Sequence, residues 1–200
     1  EYAFILGTQD GTDIFIAGNA TPVATVNTGE QYMYSIPPGQ ATTYIETSKP
    51  AYVLHVSGFG CEVGGAVLPP IQCTGSSSVY FTRSSPDLFG LNIMVRAGSE
   101  GNFLLNSSST LVPASAFTVV PGTSGNWMAA QISFTTSEVP DGETSVLVNT
   151  SSTAELFHMG MINGGASTGC RYGYFSDFSS TNLGGNRIVC FGDTLDLDAG

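Results

Sequence analysis

The chain has 200 residues and a formal net charge of −11, and only 10% of its residues are charged, against roughly 25% in an average soluble domain. That balance argues against phosphate backbones and anionic membranes as partners. No run reaches the roughly 18 apolar residues that suggest a membrane span, so neither nucleic-acid binding nor membrane insertion is expected.

Ser and Thr outnumber charged residues about two to one, and Gly reaches 25. Helix formers are scarce, and the polar surface is mostly hydroxyl and amide, as in β-rich extracellular modules. Short runs rich in β-branched and aromatic residues recur between Gly, Pro, Asn and Asp, and each reads as a strand. In chain order they are 2–6 (YAFIL), 13–17 (DIFIA), 31–36 (QYMYSI), 42–47 (TTYIET) and 51–56 (AYVLHV). Next come 78–83 (SVYFTR), 91–97 (LNIMVRA), 102–106 (NFLLN), 116–120 (AFTVV) and 126–134 (NWMAAQISF). The last are 144–149 (TSVLVN), 155–162 (ELFHMGMI), 171–176 (RYGYFS) and 186–190 (NRIVC).

Within 31–36, Tyr32, Tyr34 and Ile36 alternate with Gln31, Met33 and Ser35, as a strand with one dry face should. Asp10-Gly11 lies between two apolar runs and signals a hairpin. No window carries a 3.6-residue stripe, so at most a helical turn or two is expected. The fold class that follows is all-β and antiparallel, with little or no helix. It is either a large β-sandwich or two packed β-subdomains, with a soft subdivision near 98–116. The domain is expected over 1–190, and 191–200 reads as a linker or the start of a next module. The chain opens directly in a strand-like run, which suggests a module cut from a longer protein.

Four cysteines allow three pairings. They form two local couples, Cys61 with Cys73 and Cys170 with Cys190, each beside turn-like sequence. Local disulfides would imply an oxidising compartment and export; the alternative is four buried thiols. A zinc site is disfavoured because no Cys-x-x-Cys is present.

Residues 1–90 resemble the N-terminal domain of the IgGFc-binding protein family, known from animal mucus proteins and large bacterial surface proteins. The resemblance rests on TQDGTDIFIAG (8–18), TGEQYMY (28–34) and TSKPAYVLHVSGFGCEVGGAVLPPIQC (47–73). ELFHMGMINGGASTGCRYGYFSDF (155–178) is similar to the closing segment of bacterial members, and VCFGDTLDLDAG (189–200) to the opening of an Ig-like or PKD-like module in Bacteroidetes surface proteins. The resemblance implies an extracellular or cell-surface setting, neighbouring Ig-like modules in the same chain, an adhesion role and no established catalytic residues.

The candidate ligand site lies in 158–178. As a strand, 171–175 puts Arg171, Gly173 and Phe175 on one face and Tyr172 and Tyr174 on the other. Tyr172, Tyr174 or Phe175 could stack on a sugar ring or peptide, with Arg171 and Asp177 adding directional hydrogen bonds. The competing reading is a packed corner with Cys170 tied to Cys190. His55 and His158 sit in strand-like runs and read as structural residues rather than a metal pair. Asp10 and Asp13, or Asp193, Asp196 and Asp198, could offer oxygens to a structural Ca2+; no other cofactor is expected. Trp127 is either a core anchor or a stacking platform. Asn19, Asn106 and Asn149 begin Asn-x-Ser/Thr triplets, and Asp193-Thr194-Leu195 resembles a short O-glycosylation motif.

No Gly-x-Ser-x-Gly elbow and no phosphate loop is present, so the chain is not expected to be an enzyme. The leading expectation is an adhesion or recognition module binding a glycan or protein ligand non-covalently. A structural spacer and a glycoside hydrolase, the latter needing two facing carboxyls, are the alternatives.

Overall fold

The computed structural model describes residues 1–72, 74–151 and 156–175, and among them it is all-β. The strands are β1 (Tyr2–Gly7), β2 (Thr12–Ile16), β3 (Ala24–Val26), β4 (Gln31–Ser35), β5 (Ile45–Thr47), β6 (Ala51–Phe59), β7 (Glu62–Leu68) and β8 (Ser78–Thr82). They continue with β9 (Leu88–Arg96), β10 (Phe103–Leu105), β11 (Thr118–Val119), β12 (Trp127–Ser133), β13 (Thr144–Asn149), β14 (Phe157–Gly165) and β15 (Gly169–Phe175). A single 3₁₀ turn at Ala114–Ala116 is the one helical element among the described residues. The expected run 186–190 lies outside the described residues.

Every strand pair named in the ladders is antiparallel, and the strands form four sheets. A four-stranded sheet has the order β4-β1-β6-β7, and a three-stranded sheet the order β3-β2-β5. A five-stranded sheet has the order β11-β12-β9-β14-β15, and a second three-stranded sheet the order β10-β13-β8.

Strand alternation decides how these sheets stack. In β9, Leu91, Ile93 and Val95 point to one side, and the paired β14 adds Phe157 and Met159 to it. That side packs on Val79, Phe81, Phe103, Leu105 and Leu147 of β8, β10 and β13, which makes the larger core. A smaller core joins Ala3 and Ile5 of β1 to Ile14, Ile16 and Val26 of the β3-β2-β5 sheet. The change from one core to the other falls between β7 and β8. Residues near 98–116 run through the larger core, to which they supply Phe103, Leu105 and Val112.

The other side of the five-stranded sheet faces the four-stranded sheet, with β15 beside β7 and β6. The contact is close enough to need glycine: a Cβ on Gly64 would lie 2.7 Å from Tyr172 Cβ. This explains a strand that periodicity does not reveal. Glu62-Val63-Gly64-Gly65-Ala66 reads as a turn, yet it pairs with β6 along its whole length, Phe59↔Glu62 through Val53↔Leu68. A second close approach joins the halves where Gly122 meets the Ala17-Gly18 turn, with a Gly122 Cβ position 2.3 Å from the Ala17 carbonyl carbon.

Two buried polar groups hold the end of the five-stranded sheet. Arg83 donates from Nε to the Ser85 carbonyl at 3.0 Å, from Nη1 to Phe134 and Val139, and from Nη2 to Pro86 and Asp87. Asn163, fully buried, accepts at Oδ1 from the backbone amides of Ser84 and Ser85, both at 3.0 Å, and donates from Nδ2 to the Leu88 carbonyl at 3.0 Å. Replacing Asn163 by Leu leaves those buried groups unpaired. The expected loss is about 3 kcal/mol, read as a lower urea midpoint, whereas the exposed Tyr80→Ser is expected to change stability by less than about 0.5 kcal/mol.

Candidate binding site

Residues 157–175 form one hairpin, β14 to β15, closing through Gly165↔Gly169. Strand alternation divides the expected ligand residues between its two sides. Tyr172 and Tyr174 face the four-stranded sheet, while Phe175 packs against the larger core. Arg171 is exposed on the side opposite the tyrosines, paired with Asn163. Asp177 lies outside the described residues. The five therefore do not form one rim, and the tyrosines stand apart from Arg171 and Phe175.

The tyrosines face a cavity of about 170 Å3 between the sheets. His55 and Leu68 line it from the four-stranded sheet, and Asn92, Met94, Ala129, Gln131 and His158 from the five-stranded sheet. Residues 36–43 close one side, and a second cavity of about 320 Å3 lies beneath Pro37, Pro38 and Gly39. Both are lined by Glu1, Ile36, Gln40, Ala41 and Gln131.

A hydrogen-bonded row crosses the seam. Ser57 Oγ donates to Glu1 Oε1 at 2.9 Å, and His55 Nε2 lies 3.2 Å from Glu1 Oε2. The bond with His55 holds the Glu1 carboxyl below its ordinary range, against the opposing effect of burial. An ionised carboxylate only accepts, so the Nε2–H donates to it. The Tyr172 hydroxyl lies 2.8 Å from His55 Nδ1, within hydrogen-bond distance. Burial pushes the phenols of Tyr172 and Tyr174 well above their ordinary value, so both stay protonated donors.

His158 is different. It is 1% exposed, and its ring nitrogens are closed off from solvent beside the backbone of Ile71 and Thr74. Tyr174 and Trp127 each lie 6.0 Å from it, centroid to centroid, and Trp127 meets it edge-on. Desolvation lowers its pKa, which makes it a neutral imidazole. Trp127 is itself buried, with the Arg96 guanidinium 4.5 Å from its ring centroid, and is a core anchor. Strand spacing places His158 in a strand but gives no sign that its ring meets a cavity.

The other candidates have turn and packing roles. Asp10 Oδ1 accepts from the Thr28 amide at 2.9 Å, and Asp13 Oδ1 from the Thr25 hydroxyl at 2.6 Å. Among the described residues no group of three His, Cys, Asp or Glu side chains could hold a metal ion. Asp193, Asp196 and Asp198 lie outside them. Cys61 and Cys170 are free thiols, and the expected mates Cys73 and Cys190 lie outside the described residues. Asn149 is buried and donates from Nδ2 to the Ser99 carbonyl at 3.0 Å, and Asn106 Nδ2 donates to Ser145 Oγ at 3.1 Å.

The outward side of the four-stranded sheet is the second notable feature. Registers Tyr2↔Val56, Phe4↔Leu54, Leu6↔Tyr52, Phe4↔Met33 and Leu54↔Val67 place these residues together. Met33, Tyr52, Val63 and Val67 are 52%, 62%, 67% and 60% exposed. The paired positions on this side, from Gln31 and Ser35 on β4 to Gly65 and Val63 on β7, include no charged side chain.

The family model described as IgGFc binding protein matches residues 1–160. The chain belongs to that family, which is one of extracellular binding domains rather than of enzymes. No curated protein and no solved structure matches it. Among the described residues no helix is long and apolar enough to cross a membrane.

The pH dependence of the fold tests the state of His158. Its pKa is lowered on folding from an ordinary value of 6.5, so below 6.5 the unfolded chain binds the proton more readily. Stability is expected to fall as pH drops through 6.5 towards the lowered folded value. His158→Phe should flatten this part of the urea-midpoint profile. Glu1 acts in a lower window: its contribution is present above 4.5 and is lost as pH falls through its lowered folded pKa.

Proposed function

We propose that the chain is a recognition module of a multidomain cell-surface protein, exported, adhering to an extracellular protein through the outward side of the β4-β1-β6-β7 sheet. The observation that carries this reading is the cluster of Tyr2, Leu6, Met33, Tyr52, Leu54, Val63 and Val67 on that side. Contiguous apolar patches larger than a few hundred Å2 are uncommon on soluble monomers and mark interaction sites. On a chain with net charge −11, a side free of charged residues suits a partner surface that is apolar and uncharged. Membership of a binding family supports the same reading.

The partner's surface is to be sought on an array of immobilised extracellular proteins, immunoglobulin Fc among them, with surface glycans printed beside them. Saturable binding to a protein is expected. It should change little with added salt, because apolar contacts are not screened, and should weaken at least about tenfold in Tyr52→Ser/Val63→Ser, a loss of about 1.4 kcal/mol. Binding that the double variant leaves intact overturns this reading, and a blank array favours the spacer alternative. A hit confined to glycans would move adhesion to carbohydrate.

A further inference from the structure

We propose that the free edge of β4 takes up an extended, uncharged peptide segment of the extracellular partner as an added strand of the four-stranded sheet. This deepens the adhesion reading, on which it rests for the partner's setting, and names the form in which the partner docks.

The argument starts from the ladder between β1 and β4. Its register continues at both ends into hydrogen-bonded pairs, with the Ile36 amide donating to the Glu1 carbonyl and the Gly7 amide to the Glu30 carbonyl, each at 3.0 Å. Antiparallel ladders alternate hydrogen-bonded and non-hydrogen-bonded pairs, so Tyr32 and Tyr34 direct their main-chain groups at β1. Gln31, Met33 and Ser35 direct theirs the other way, and β4 is the end strand of its sheet. On that side the main chain of these three residues makes no hydrogen bond. The edge therefore carries a row of open N–H and C=O groups on exposed residues, repeating about every 6.8 Å.

Such a row is a template for another strand, and natural edges are commonly blunted by Pro, Lys or a bulge. β4 has none of these: it reads Gln-Tyr-Met-Tyr-Ser, and its pairing with β1 runs without a break. The opposite edge of the sheet is less open, because β7 lies against β15 and runs into Pro69-Pro70. At β4 the template stops at Pro37-Pro38, which limits the added strand to a short segment.

Register also sets the chemistry of that segment. Residues directly opposite one another across a ladder share a side of the sheet. An added strand sets one side chain beside Met33 and one each beside Gln31 and Ser35, all on the outward side. Met33 is 52% exposed and pairs with Phe4, so the middle side chain is apolar, while hydroxyl or amide groups suit the two flanking positions. Exposed Glu30 precedes the strand and the net charge is −11, which disfavours acidic segments. Main-chain bonds then give affinity and the alternate side chains selectivity, as in strand addition generally.

The test is an NMR titration of the 15N-labelled 200-residue chain with capped peptides of the form Ser-Thr-Ser-Z-Ser-Thr-Ser, Z being Ile, Tyr or Asp. The Ile or Tyr peptide is expected to saturate and to shift the amides of Gln31, Met33 and Ser35. The Asp peptide, and a form N-methylated at both Thr and at Z, should bind at least about tenfold more weakly. Ser35→Pro removes one outward N–H and keeps the Tyr32 and Tyr34 bonds to β1; it should weaken binding by at least about tenfold. Met33→Lys, which places a charge on the edge, should do the same if the proline variant does not fold. No saturation at millimolar peptide overturns the proposal, as do shifts confined to other amides or equal binding of the N-methylated form. Binding unchanged in a folded Ser35→Pro or in Met33→Lys overturns it too. Tyr52→Ser/Val63→Ser lies away from β4 and should leave peptide binding unchanged. A protein captured by the outward plane that is lost in that double variant but not in Ser35→Pro leaves the adhesion reading standing and strand addition refuted.

Discussion

The close approach of β15 to β7 is the constraint on which the arrangement depends. The five-stranded sheet is apolar on one side and mixed on the other, and both sides are covered, the second by β6 and β7. A side chain at 64 would collide with Tyr172, so the strand that covers β15 has glycine at the point of contact. This proximity brings Tyr172 within 2.8 Å of His55 and places the Glu1–His55–Tyr172 row across the seam. Further along the seam a cavity opens, lined in part by the short side chains of Ala3 and Ala129. The cavity is thus a consequence of one tight contact beside a set of short side chains.

Buried polar groups fix the geometry that the tight contact requires. Arg83 is 3% exposed and is held by carbonyls, with no carboxylate among its hydrogen-bond partners. A lone buried charge is costly, and here the guanidinium's donors are met by backbone from 85–87, 134 and 139. Asn163 performs the neutral version of the same task for 84, 85 and 88. Together they tie irregular backbone to the ends of β9 and β14, and they explain how loops lie against a core without leaving amides and carbonyls unmet.

Strand order along the chain was legible because period-2 runs and Gly, Pro, Asn and Asp punctuation are local properties. Alternation in 171–175 separates Tyr172 and Tyr174 from Arg171 and Phe175, as the structure does. What local patterns cannot carry is the identity of the neighbour. Glu62–Leu68 looks like a turn in part because Gly64 answers to Tyr172, more than a hundred residues away. The run 42–47 forms a strand only over Ile45–Thr47, since Tyr44 turns to pack with Trp127 and Val120. In 51–56 both sides are apolar, so the sequence does not say that Tyr52 and Leu54 face outward and Val53 inward.

That ambiguity bears on function. A strand that is apolar on both sides normally belongs to a sheet covered on both sides, and β6 has this pattern: His55 and Val53 turn inward, Tyr52 and Leu54 outward. The inward side is met by β15 and the β3-β2-β5 sheet, while the outward side carries the apolar residues of β1, β4 and β7 as well. Solvation alone would favour Thr, Lys or Glu at such positions on a chain that is otherwise rich in hydroxyls. Aromatic and branched side chains gathered there by register, with charges kept away, fit a surface whose stable state is a covered one. The two sides of the four-stranded sheet thus offer different chemistry, a neutral hydrogen-bonding chamber within and an apolar plane without.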